Sequence, residues 1–221
     1  MLKTKDCFDL NHSLAGSYLE KYEYPWLALS GIKELILNLG GSLGEDYEEV
    51  QPQVWVHKTA KVFPSAYLGS PCIIGARTEV RHCAFIRGSV LVGEDCVVGN
   101  SVELKNVILF DHVQVPHYNY VGDSILGYYS HMGAGAVTSN VKSDHSLVVI
   151  HVGDEAIETE LKKFGAILAD HVEVGCNAVL NPGTVIGSNS RVYPTTGVRG
   201  FVPENSIVKK TDVIVKIKKG E

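Results

Sequence analysis

The 221-residue sequence predicts an all-β solenoid of hexapeptide repeats, and three observations carry that expectation. Reading from Val56 in steps of six meets Val56, Val62, Leu68, Ile74, Val80, Ile86, Val92, Val98, Leu104 and Phe110, an unbroken apolar ladder. In a chain that is 45% hydrophobic, one fixed phase would do this by chance about three times in ten thousand. The ladder returns as Leu168, Val174, Leu180, Ile186, Val192 and Val198. The position after the large apolar residue is glycine at Gly69, Gly75, Gly93 and Gly99, where a corner with unusual dihedrals or a tight backbone approach favours it. Helices repeat every 3.6 residues and strands every two, so neither explains a period of six; a coil of short flat sides that turns at each hexad does.

Residues 1–53 form an N-terminal helical segment and linker. Pro25 opens and Gly40-Gly41 closes a run with Leu29, Ile32, Leu35, Ile36 and Leu39 at helical spacing, which predicts an amphipathic helix over Tyr24–Gly40 lying against or capping the coils. Glu45, Asp46, Glu48 and Glu49 then read as an acidic linker. Residues 54–208 are the solenoid. Gly127 and Gly133, after Leu126 and Met132, keep the rhythm in a shifted phase, which predicts a loop-out between Phe110 and Leu126. The pattern lapses at about 139–163, where Leu147 to Val152, a Gly153-Asp154 turn and Ala156 to Glu160 predict a protruding hairpin. Residues 209–221 are expected to be a basic C-terminal tail.

Twenty Lys and Arg against 25 Asp and Glu give a formal charge of -5 and a pI near 6.0. No basic field exists to attract nucleic acid, and an anionic ligand needs a local cluster of cations. Asp6, Asp9 and His12 interrupt any apolar run after Lys3 and Lys5, and no stretch reaches the length of a membrane span, so no signal peptide, no membrane and a cytoplasmic location are expected. The five cysteines have no metal-binding spacing and read as small buried thiols without a disulfide framework.

Arg87 and Lys105 each follow the large apolar residue of their hexad and lie eighteen residues apart, one coil if three hexads close a turn. Stacked at one corner, about 4.8 Å apart, they either share an anion such as a phosphate or are balanced by Glu103 and water. Gln114 to Tyr120 breaks the phase, and its His117 is either a general base or a satisfied loop histidine. Tyr118, Tyr120, Tyr128 and Tyr129 suit a sugar-stacking surface or edge packing between subunits. His112 and His117 have the H-x4-H spacing of the zinc-binding γ-class carbonic anhydrases. His82 is five hexads before His112, not a whole number of coils, and this register argues against a third ligand there, so no metal is expected.

Three runs carry a specific resemblance: Gly99-Asn100-Ser101-Val102-Glu103-Leu104-Lys105, His117-Tyr118-Asn119-Tyr120-Val121-Gly122-Asp123 and Gly133-Ala134-Gly135-Ala136-Val137-Thr138-Ser139-Asn140. In order and spacing they resemble the acetyltransferase domain of the bifunctional N-acetylglucosamine-1-phosphate uridyltransferase/glucosamine-1-phosphate acetyltransferases. Lys162-Lys163-Phe164-Gly165-Ala166-Ile167, after a hairpin-sized insertion, is similar to the archaeal sugar-1-phosphate nucleotidylyltransferases with the same domain. The resemblance covers roughly Val54 to Val202.

The resemblance implies a left-handed parallel β-helix and a homotrimer that transfers an acetyl group from acetyl-CoA to an amino-sugar 1-phosphate. It implies His117 as catalytic base, with Glu103 as the nearby acid. Arg87, Lys105, Tyr120, His131 and Lys163 match substrate-binding positions, and Ala134, Cys176 and Pro194 match the cofactor path. His131 stands where the family has Asn, Cys176 where it has Ser, and Val141-Lys142-Ser143 replaces its Tyr-Asp-Gly. The 53 residues before Val54 lack the Gly-rich loop of a nucleotidyltransferase, so that activity is expected of a separate partner. The alternative function is a non-catalytic sugar-phosphate or nucleotide-sugar binding protein that regulates such a partner.

Overall fold

In the computed structural model, which describes residues 2–210 and the backbone of 213–216, the hexads wind into the expected left-handed parallel β-helix. Each coil has three faces. Face 1 begins at Val54–His57, Cys72–Ile74 and Val90–Val92; face 2 at Lys61–Val62, Glu79–Val80 and Val97–Asn100; face 3 at Tyr67–Leu68 and Phe85–Ile86. Side chains alternate across a strand, so Val80, Val98, Val115, Met132, Val174 and Val192 stack inward in one fully buried row. Buried threonine and serine hydroxyls spend themselves on the backbone of adjoining coils, as Thr78 Oγ1 does on the Gly93 carbonyl at 2.8 Å.

The corner glycines serve close approach rather than unusual dihedrals. None of Gly69, Gly75, Gly93 and Gly99 has a positive φ; a Cβ on Gly75 or Gly99 would strike the backbone of the next coil, at Gly93 and Pro116. The left-handed residues come two positions later, as Arg77, Asp95 and Ser101 with φ of 57, 52 and 54°.

The phase shift after Leu104 is not a loop. Phe85 pairs with Glu103, eighteen residues on, yet Val90 pairs with Val107, only seventeen on. One residue has been removed at the corner where Lys105-Asn106 replaces Arg87-Gly88-Ser89, and the next coil keeps the short form, with Glu103 opposite Tyr120 and Val107 opposite Ser124. Leu109, not Phe110, therefore continues the row of Val92. Gln114–His117 is a regular face-2 strand and Tyr120–Leu126 a long strand that rounds the corner from face 3 to face 1.

Face 1 has an apolar outer surface as well. Ile73, Leu91, Ile108, Ile125 and Ile167 point outward there and are at most 1% exposed, because the N-terminal segment lies over them. Each such burial stabilises by about 1.5–3 kcal/mol. The single helix expected over Tyr24–Gly40 is split, with a 3-10 stretch at Pro25–Gly31 followed by an α-helix at Ile32–Gly40. The acidic stretch is no linker either: Tyr47–Gln51 pairs antiparallel with Val54–His57 and covers the first edge of the solenoid.

A two-stranded hairpin, Val149–Val152 with Glu155–Glu158, interrupts the coils at the corner after face 3. At the far end Ser206–Lys210 pairs antiparallel with Val213–Lys216, and the rest of the basic tail lies outside the described residues. Cys7, Cys72 and Cys96 are buried thiols, but Cys83 and Cys176 are exposed, because both fall at corners where side chains leave the coil.

Candidate functional site

Register assembles the first part of the site. Gln114 pairs with His131, His131 with Glu173 and Glu173 with Arg191, so the residues three further along each strand also align. His117, Ala134, Cys176 and Pro194 thus form one column down the corner between faces 2 and 3. Backbone bonds tie its steps: Gly135 N–H to the His117 carbonyl at 3.0 Å, Asn177 N–H to Ala134 at 2.9 Å and Thr195 N–H to Cys176 at 2.8 Å. The column is about 14 Å long at one coil spacing per step.

His117 is exposed, and its imidazole has no hydrogen-bond or ion-pair partner among the described residues. Asn119, which sequence reasoning passed over, fixes the turn beneath it. Only 2% exposed, its Oδ1 accepts from the His117 N–H at 3.2 Å, while its Nδ2 donates to the carbonyls of Gly133 and Ala136 at 2.8 and 3.0 Å. The positions stacked on it, Val102 and Ala136, are apolar, so no periodic signal in the sequence marks it.

The second part lies across face 3, at its corner with face 1. Arg87 and Lys105 do stack there, one coil apart. Each is held by its own carboxylate: Arg87 Nη1 bonds Glu103 Oε1 at 2.9 Å, and Lys105 Nζ bonds both oxygens of Asp123 at 3.0 and 3.1 Å. Glu103 therefore serves the cation corner and raises the pKa of Arg87 through that hydrogen bond. Asp123, nearly buried, also accepts from Asn106 Nδ2 at 3.0 Å and from Asn140.

Tyr120 stands between the two parts, pairing with Glu103 and reached at its hydroxyl by Asn140 Nδ2 at 3.2 Å. Burial pushes the phenol pKa up. Gly122 leaves room for the Tyr120 ring, since a Cβ there would meet its hydroxyl and displace it. Lys163 is exposed at the hairpin's return, next to Phe164, whose N–H donates to the Asn140 carbonyl at 3.0 Å, but it does not line the recess that Arg87 and Lys105 share.

His131 is not in this group within one chain. It begins its strand three residues before Ala134, about 10 Å from the column, and its Nδ1 lies 2.8 Å from Glu173 Oε2. His82 packs on Phe63 and His112 on Tyr129; among the described residues no three ligating side chains come together for a metal. No helix among them is long and apolar enough to cross a membrane.

Comparison with known proteins places these residues in context. A protein-family profile described as GMPPB C-terminal domain matches residues 71–188. The Bifunctional protein GlmU of Methanococcus aeolicus is 30% identical over 200 residues, 88% of this chain and 48% of that protein. The bifunctional sugar-1-phosphate nucleotidylyltransferase/acetyltransferase of Sulfurisphaera tokodaii is 30% identical over 174 residues, 77% of this chain and 43% of that protein. The chain spans about half the length of the curated relatives it matches. Among solved structures, a hexapeptide-repeat containing acetyltransferase from Vibrio cholerae overlaps with a TM-score of 0.32 at 17% identity, covering 87% of this chain and 93% of the other.

Proposed function

The chain belongs to the GMPPB C-terminal domain family, and from that premise we propose that it is an acetyl-CoA-dependent N-acetyltransferase acting on an amino-sugar 1-phosphate. The observation that carries this reading is the column of His117, Ala134, Cys176 and Pro194, with the Arg87–Lys105 corner one strand away across Tyr120.

In this reading the sugar phosphate rests at the Arg87 and Lys105 corner, and its amine points past Tyr120 toward His117. The pantetheine arm of acetyl-CoA follows Pro194, Cys176 and Ala134, with the thioester at the His117 end. The sugar nitrogen attacks the thioester carbon while the neutral His117 imidazole takes the amine proton. The Ala134 N–H, which donates to no acceptor among the described residues, offers a hydrogen bond to the developing oxyanion. Collapse breaks the C–S bond, and the imidazolium returns its proton to the sulfur of CoA. No covalent enzyme intermediate is needed. His131 reaches such a groove only from a neighbouring copy, so the reading includes a cyclic trimer in which the groove lies between solenoids.

The test is thiol release from acetyl-CoA in the presence of a panel of amino-sugar 1-phosphates, with light scattering on the same sample. Turnover with one of them by a trimer is the expected result. Sugar-phosphate binding without turnover on any of them would replace the enzyme with the non-catalytic binding protein.

A further inference from the structure

The cation corner has a wall that does not come from the solenoid. A recess of about 340 Å³ beside it is lined by Arg87, Ser89, Lys105 and Asn106, and also by Lys33. Lys33 is the second residue of the helix Ile32–Gly40, whose Ile32, Leu35 and Ile36 are buried, leaving Lys33 exposed. The helix is held in register with the corner by Asn106. Its Nδ2 bonds the Leu29 carbonyl at 3.1 Å and Asp123 Oδ1 at 3.0 Å, so one amide links the N-terminal segment to the carboxylate that grips Lys105.

The three cations at this recess differ in what already holds them. Arg87 is paired with Glu103 and Lys105 with Asp123, whereas Lys33 has no carboxylate partner among the described residues. Among the cations that line the recess, Lys33 is therefore the one whose charge is not already matched by a carboxylate. An incoming phosphate can meet Lys33 without breaking an existing pair, while full use of Lys105 would strip a nearly buried carboxylate of its cation. Ser89 adds a neutral hydroxyl donor on the same wall, while both Nδ2 protons of Asn106 are committed to Leu29 and Asp123.

We propose that Lys33 is a phosphate ligand and that the N-terminal segment completes the anion site, holding the phosphoryl group of the sugar phosphate between Lys33 and Arg87. This rests on the reading of the corner as a sugar-phosphate site and assigns to the helix a role that burial of face 1 alone does not explain. Lys105 then acts mainly as part of the wall, fixed by Asp123.

Equilibrium titration of wild type, Lys33→Gln and Lys33→Arg with glucosamine 1-phosphate, unphosphorylated glucosamine and coenzyme A tests the assignment. Lys33→Gln should raise the Kd for the sugar phosphate tenfold or more, roughly the loss of one charge-assisted contact, and leave glucosamine and coenzyme A unaffected. Lys33→Arg should restore most of the affinity. Unchanged sugar-phosphate affinity in Lys33→Gln, or an equal loss for all three probes, overturns the proposal, as does a wild type that binds no sugar phosphate. Because the readout is binding, a Lys33 effect without acetyl transfer would sink the enzymatic reading and keep this one. Acetyl transfer with no Lys33 effect on Kd or KM would do the reverse.

Discussion

Lys105 and Asp123 lie one coil apart, and the Lys105 ammonium donates to both oxygens of a carboxylate whose side chain is only 6% exposed. Asn106 and Asn140 fill the remaining acceptor positions, so Asp123 joins two coils, the hairpin's base and the N-terminal segment. Asp123→Ala leaves Lys105 and two amides without their acceptor. Denaturant unfolding should show a loss of about 2–4 kcal/mol. A change below about 0.5 kcal/mol would mean that water replaces the carboxylate at no cost.

The neighbourhood of Asp123 also shows what the sequence could and could not reveal. The inward rows were legible because core burial imposes the same residue class every six positions, and they are what identified the coil. The one-residue shortening at Asn106 was not, since it moves the phase of everything after it and mimics a loop. Asp123 and Asn119 sat within recognised motifs, but their roles depend on which carbonyls and cations the coiling brings beneath them. Lys33 was illegible for another reason. It lies more than fifty residues from Arg87 in the chain, and a lysine on the polar face of a helix carries no sign of what that face overlooks. The Arg87–Lys105 stacking was read from an eighteen-residue spacing, with Glu103 as a candidate counter-charge, whereas the pairing of Lys105 with Asp123 became visible only with side chains in place.

A second prediction concerns the strap that precedes that helix. Asp170 accepts the Asp9 N–H at 2.7 Å and the Tyr128 N–H at 2.8 Å, and burial raises its pKa above the ordinary value. In the window between the unfolded value, about 3.9, and the higher folded value, the native state binds more protons than the unfolded one, so stability falls as pH rises. Asp170→Asn cannot titrate. The stability of wild type relative to Asp170→Asn should therefore be greatest below about pH 4 and shrink through that window. A constant or growing difference, measured by urea unfolding across the range, would show that the hydrogen bonds outweigh burial.

Glu103 and Arg87 give a paired prediction. Removing Arg87 deletes a phosphate contact and also leaves Glu103 uncompensated beside the anion, so Arg87→Ala should weaken sugar-phosphate binding by at least the 1.5–3 kcal/mol of a charged hydrogen bond, taken as about tenfold to a hundredfold in Kd. Glu103→Gln should act in the opposite direction, releasing the guanidinium and tightening binding severalfold, more so at low salt. If both variants weaken binding alike, Glu103 orients Arg87 and does not compete with the ligand.

The last prediction separates His117 from His131. His117 heads the column that carries Ala134, Cys176 and Pro194, and its ring has no hydrogen-bond or ion-pair partner among the described residues, as befits a group that must accept a proton from a substrate. His117→Ala should lower acetyl transfer by about a hundredfold or more, the usual scale for a positioned base. Its side chain is exposed and makes no hydrogen bond, ion pair or ring contact among the described residues, so unfolding midpoint and CoA affinity should stay as they are. His131 is bound to Glu173 three residues from the column. His131→Asn, which gives the amide that the resembling acetyltransferases have there, should keep kcat and act, if at all, on the KM for the sugar. Its effect on KM would require the trimer, because within one chain it stands about 10 Å away along its strand. Measuring kcat and KM of both variants therefore distinguishes proton transfer from binding across the subunit boundary. Loss of turnover in His131→Asn with His117→Ala tolerated would move the base to His131 and leave the His117 column as a cofactor path alone.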